Sequence, residues 1–226
     1  MLTRNAFAVV IAIGLLIGSG HPGAVAKELR KSGVNPHYQV YLLKGLADVF
    51  STGMDFLQAK LQARGIEGEV HSHAAWQSLA QTAIAKWRGG LRGPIVIIGH
   101  SLGADAAITM AQRLGEAQVP VALLVTFSPV DSAPAMANVA RAVNYFQSNS
   151  AWHGQITRGA GFRGSLENID LAQTPGITHF NIEKVDQFHT ATISKVLSLV
   201  SPHTRTASRN SDASALQPNS ISATNQ

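Results

Sequence analysis

The chain has 226 residues, a formal net charge of +5 and no cysteine. That length holds one sizeable α/β core and excludes two large domains; the absent thiol excludes disulfides, thiolate metal sites and acylated-cysteine anchors. A hydrophobic content of 45% against 14% charged residues is globular rather than disordered, and no basic run with interleaved aromatics points to nucleic acid as a partner.

In chain order, Arg4, the apolar residues 7–17 and the small-x-small run Ala24-Val25-Ala26 read as an export signal cleaved after Ala26. The apolar run is short for a permanent membrane span. The expected destination is therefore the periplasm or the medium, with the folded domain over 27–202. Residues 37–43 are β-branched and aromatic and predict a strand, followed by a turn at Lys44-Gly45-Leu46. Ser51 is placed to cap a helix to about Arg64, in which Phe50, Met54, Leu57 and Leu61 recur at helical spacing. A short strand at 67–72 and a helix at 75–88 follow, the helix closed by Gly89-Gly90.

Next comes a strand at 95–98, a helix to about Leu114, and another strand at 120–127 that leaves into Ser128-Pro129-Val130-Asp131. A short helix is expected over 134–141 and a strand over 142–146. Residues 148–164 are polar and glycine-rich, a loop long enough to fold over a site as a small lid; its Arg158 and Arg163 read as solvated charges. A last strand at 166–171 and a helix over 180–200 complete the domain. Ser, Thr, Asn and Ala dominate 203–226, a disordered tail. Alternating strands and helices predict an α/β fold, a three-layer α/β/α sandwich with a mostly parallel central sheet and no large cap. Sites in such sheets lie beyond the carboxyl ends of the strands.

One segment carries chemistry. Ile95-Val96-Ile97-Ile98 runs into Gly99-His100-Ser101-Leu102-Gly103 and then into a helix-forming run. The G-x-S-x-G spacing puts Ser101 at the apex of a strained strand-to-helix turn, with small residues where strand and helix approach. A serine hydroxyl needs a base, and the base needs an orienting group. Downstream, in the order serine, acid, histidine, stand Asp131 and then His179 or His189.

Residues 37–200 resemble a small α/β-hydrolase of the lipase, esterase and thioesterase kind. The resemblance rests on Leu43-Lys44-Gly45-Leu46, Gly99-His100-Ser101-Leu102-Gly103, Phe127-Ser128-Pro129-Val130-Asp131 and Thr178-His179-Phe180. It implies Ser101 as nucleophile, with acid and base on later loops. Asp131 is the expected acid, because the next strand is followed by Gln147-Ser148-Asn149-Ser150 and offers no carboxylate. Asp170, inside a predicted strand, suits a structural hydrogen bond, and Asp105 falls on the helix after the nucleophile. Ten residues of helix span about 15 Å, so His179 and His189 cannot serve one site. His179 is the expected base, and His189, on an apolar stripe with Val185 and Ile193, is expected to pack. The oxyanion donors are the backbone N–H groups of Leu102 and Leu46.

These residues predict a serine hydrolase that cleaves a carboxylic ester or thioester through an acyl-enzyme, on a small-molecule or lipid-like acyl substrate. No cofactor is expected. His71, His73 and His153 lack a carboxylate at ligand spacing, so no metal is expected either. The alternatives are an exported binding or envelope protein that keeps the fold without activity, and an acyltransferase or peptidase with the same triad.

Overall fold

Along Gln39–Lys44 (β1), Val40 and Leu42 point to one face of the sheet and Tyr41 and Leu43 to the other, and all four are buried. A strand apolar on both faces must be covered on both, which is the signature of a parallel sheet between helices. The computed structural model describes residues 38–46 and 51–200; the export segment 1–26 and the tail 203–226 lie outside them. β1 is followed by α1 (Thr52–Gln62), β2 (Glu69–Ser72), α2 (Trp76–Arg88), β3 (Ile95–His100), α3 (Leu102–Glu116) and β4 (Leu123–Phe127). Then come β5 (Ala133–Ala135), β6 (Arg141–Phe146), β7 (Ile156–Arg158), β8 (Ser165–Asp170) and α4 (Asp186–Val200).

Six strands form one sheet in the order β2-β1-β3-β4-β6-β8, and every pair in it is parallel. On one face Tyr41, Leu43, Ile95 and Ile97 pack with Leu79 and Ala83 of α2 and Ala107, Met110 and Leu114 of α3. On the other, Leu42, Val96, Ile98, Val125 and Tyr145 pack with Met54, Leu57 and Leu61 of α1 and Phe188, Ile193 and Val196 of α4. Each fully buried aliphatic side chain contributes roughly 1.5–3 kcal/mol, so these two layers hold the sandwich together. The chain runs from β1 outward to β2 and then crosses back to β3. The strand order reverses between β1 and β3, and the crevice beyond their carboxyl ends is where open α/β sheets bind ligands.

Three expected elements differ. Residues 134–141 are not a helix: Ala133–Ala135 is a strand paired in parallel with β7, with Pro134 opposite Thr157, and Val139 bridges to Val121. Proline has no N–H to give a helix but is tolerated in such an edge strand. The loop 148–164 accordingly contains β7. The terminal helix starts at Asp186, because Val185 is extended (ψ 119°) after a single 3₁₀ turn at Ile182–Lys184.

Candidate active site

Ser101 joins β3 to α3 with φ 57° and ψ −128°. This left-handed conformation costs a non-glycine residue of order 1–3 kcal/mol. Its N–H is tied to the Phe127 carbonyl at 3.0 Å, which anchors the turn to β4. The flanking glycines are steric necessities. A Cβ on Gly99 would run into the Gly103 carbonyl, and one on Gly103 would run into the Leu43 carbonyl. Strand, turn and helix can approach this closely only without those side chains. Leu102 opens α3, so its N–H is one of the first-turn groups that lack an intrahelical acceptor.

His179 lies in the loop between β8 and the 3₁₀ turn, and its Nε2 is 2.9 Å from Ser101 Oγ. Its Nδ1 is 2.7 Å from Ser128 Oγ, which in turn lies 3.3 Å from the Trp152 carbonyl. A carbonyl only accepts, so the Ser128 hydroxyl donates to Trp152. The Ser128 oxygen then accepts Nδ1–H, which leaves Nε2 bare to accept from the Ser101 hydroxyl. The chain of bonds selects the tautomer a base requires. The Trp152 ring lies against the imidazole with centroids 4.4 Å apart, and Phe180 meets both rings edge-on. Burial holds the His179 pKa below the ordinary histidine value.

Asp131 does not pair with His179. It is exposed at the outer part of the β4–β5 loop, and the Nδ1 position expected for it is filled by Ser128. The loop is held by Asp105, whose Oδ1 accepts from the N–H groups of Val130 at 3.0 Å and Asp131 at 3.3 Å. Burial raises the Asp105 pKa to about 6, against the lowering effect of those two bonds. At the end of β6, Gln147 donates from Nε2 to the Ile177 carbonyl at 3.0 Å and so braces the loop that carries His179. Asp170 accepts from the N–H groups of Ser148 and Ala172, a local structural role.

A second chain of bonds lies beneath the first. His100 Nε2 is 2.8 Å from the His179 carbonyl, so it carries the proton and donates. His100 Nδ1 therefore accepts from Ser51 Oγ at 2.8 Å, and Ser51 Oγ accepts from the Gly45 N–H at 2.8 Å. Ser51 makes no side-chain cap on α1, contrary to expectation, because these two bonds use its hydroxyl. Burial pushes the His100 pKa down to about 4, so the ring is neutral. The Gly45 N–H is thereby engaged, and Leu46 is the next described residue of that turn and lines the site. Leu46, Ser101, Leu102, Val130, Trp152, His179 and Phe180 share a cavity of about 360 Å³ with Ser51 and His100.

The remaining candidates stand apart. His189 is buried, donates from Nε2 to the Glu183 carbonyl at 2.6 Å and accepts at Nδ1 from Lys60 at 3.0 Å. His71 pairs with Glu69, His73 donates to the Gly45 carbonyl and His153 to the Ser150 carbonyl. Among the described residues no three His, Asp or Glu side chains gather as a metal-holding group. Arg158 covers the Phe162 ring and bonds the Gly164 carbonyl, away from the cavity lining. Sequence reasoning missed Ser128, Ser51 and Trp152. Only Ser128 carried a signal: it is the first residue beyond β4, one strand over from the nucleophile.

Residues 59–156 match the family model described as serine hydrolase. That span contains the Ser101 turn and Ser128 and ends before His179. No curated protein matches the chain significantly. Among solved structures, a cutinase-like protein from Cryptococcus sp. superposes with a TM-score of 0.50 at 15% identity, over 74% of this chain and 97% of that one. At that identity the likeness concerns the fold. The family match through the Ser101 turn, on this sheet and with this likeness of fold, supports a serine hydrolase of the α/β-hydrolase type.

Proposed function

We propose that the chain cleaves an uncharged, apolar carboxylic ester or thioester through an acyl-enzyme on Ser101, and that it does so outside the cytoplasm. The observation that carries this reading is the 2.9 Å contact between Ser101 Oγ and a bare His179 Nε2 at the wall of an apolar cavity. Ser101 Oγ attacks the acyl carbon while Nε2 takes its proton. The carbonyl oxygen becomes an oxyanion facing the Leu102 and Leu46 N–H groups. Collapse breaks the ester bond, and the alcohol or thiol leaves with the proton from Nε2–H. Water then attacks the acyl-enzyme, gives its proton to Nε2, and Ser101 departs with that proton.

The substrate class follows from the lining. Among the described residues, no Lys, Arg, Asp or Glu contributes to the cavity wall. Three of the exposed large hydrophobic side chains, Leu46, Trp152 and Phe180, stand around it. Such a rim favours an apolar acyl chain over an anionic one. The test is a fluorophosphonate probe with mass spectrometry to locate the adduct, alongside hydrolysis of nitrophenyl esters of increasing acyl length. The expected adduct is on Ser101, and Ser101→Ala abolishes both labelling and turnover. A wild-type protein that neither labels nor hydrolyses sinks the reading.

A further inference from the structure

We propose that Ser128 is the third member of the catalytic constellation, a hydroxyl that positions His179 where such sites ordinarily place a carboxylate. This rests on the assignment of Ser101 and His179 as nucleophile and base.

The geometry is specific. Ser128 is fully buried and accepts the His179 Nδ1–H at 2.7 Å. Its own proton is committed to the Trp152 carbonyl, and its N–H donates to the Tyr145 carbonyl at 2.7 Å. Ser128 therefore cannot swing away without breaking bonds to both neighbouring segments. Its φ of 47° is the left-handed region, rare for a serine. The backbone is held in that conformation at the position that aims Oγ at the imidazole, which fits a functional constraint.

A hydroxyl fixes the tautomer and the ring plane but brings no negative charge to the imidazolium formed in the transition state. Among the described residues, what faces His179 is uncharged. The His100 ring, 5.2 Å away, is neutral, and the Trp152 ring offers its face, which attracts a cation. Lys184 acts on His100 rather than on His179, and burial is the sole cause of the lowered His179 pKa. The base thus stays neutral, and competent, further into acid than a carboxylate-paired histidine would.

The test uses the full-length protein with Ser128→Ala and Ser128→Asp, each measured for kcat, KM and the pH dependence of kcat/KM on a nitrophenyl ester. Aspartate tolerates a positive φ, so the second variant fits the same backbone. Ser128→Ala is expected to lower kcat about tenfold or more with little change in KM, the worth of a hydrogen bond to the charging base. Ser128→Asp is expected to move the acid limb of the profile upward by about one pH unit or more, since an adjacent carboxylate favours the imidazolium. An alanine variant with wild-type kcat overturns the proposal, and so does an aspartate variant whose acid limb stays in place. Either result in a wild-type enzyme that labels at Ser101 leaves the hydrolase reading standing. A wild type with no labelling removes both.

Discussion

His100 Nε2–H donates to the carbonyl oxygen of His179 at 2.8 Å, so the residue preceding Ser101 holds the backbone of the residue bonded to it. Through Ser51 the same ring reaches the Gly45 N–H, and thereby the turn that presents Leu46. His100→Ala leaves the buried Ser51 O–H without its acceptor and the His179 carbonyl without its donor. The expected cost is about 2–5 kcal/mol in a urea titration. Turnover should fall more than KM rises, because base and oxyanion turn lose a common brace. An alanine variant with unchanged midpoint and kcat contradicts this account.

Glu183 gives a pH prediction of definite sign. Its carboxyl is fully buried beside the start of α1, one oxygen has no partner, and burial raises its pKa to about 7. A folded pKa above the unfolded value means stability that is present below about pH 4.5 and lost as pH rises through 7. His100 works in the opposite direction. Its folded pKa of about 4 lies below the ordinary 6.5, so its contribution is present above pH 6.5 and lost as pH falls through 4. The two oppose each other, and Asp105, also raised by burial, adds to the Glu183 direction. Glu183→Gln keeps an acceptor for the Gly53 N–H and removes one of the opposing contributions. It should stabilise the protein at pH 8 by about 3 kcal/mol relative to pH 4.5. Melting curves of both proteins at the two pH values decide it; parallel shifts rule it out.

The two histidines of the C-terminal region should separate cleanly. His179→Ala removes the group bonded to Ser101 and is expected to cost several orders of magnitude in turnover. His189 instead ties α4 to the Glu183 carbonyl and accepts from Lys60. His189→Ala should destabilise by about 1–3 kcal/mol with turnover within a few-fold of wild type. Melting temperature and ester hydrolysis measured on both variants check the assignment, and the reverse pattern refutes it.

The sheet and the nucleophile turn were legible in the sequence because each rests on local rules. The buried strands are continuous apolar runs, and Gly99 and Gly103 are demanded by contacts within a few residues of Ser101 and with β1. His179 was legible for a related reason: it lies in the loop after the last strand, ahead of the terminal helix. The partner of His179 Nδ1 was not legible. Asp131 is the only carboxylate in the Phe127–Asp131 run, but pairing with His179 is set by how far the β4–β5 loop turns. That turn is fixed by Asp105 from α3 and by the positive φ of Ser128, neither of which leaves a periodic trace. Ser51 was misread because its position before a helix satisfies the capping rule; the Gly45 N–H takes the lone pair a helix N–H would use, and a histidine 49 positions away takes the hydroxyl proton.

Export is a prediction of residues 1–26 alone. Protein recovered from its native host is expected to begin at Lys27 and to lie outside the cytoplasm. N-terminal sequencing checks both halves, and Met1 on soluble cytoplasmic material would mean the segment is not a signal.

Asp131 supplies the sharpest contrast between the sequence pattern and the folded site. Its order in the chain, after Ser101 and before His179, suits the acid of a triad. In the fold its backbone N–H is bound by Asp105, while its side chain is exposed and bonds to nothing among the described residues. Removing its charge therefore costs no contact. Asp131→Asn is expected to keep kcat/KM within about threefold of wild type and stability within about 0.5 kcal/mol, as for a surface substitution. Ser128→Ala, three residues earlier, should lower kcat about tenfold under the same assay. The comparison does not depend on the identity of the natural substrate, because both variants are read against one nitrophenyl ester. A hundredfold loss in Asp131→Asn would show that the loop rearranges when substrate binds and brings the carboxylate to the imidazole. In that event Ser128 would be only its resting partner.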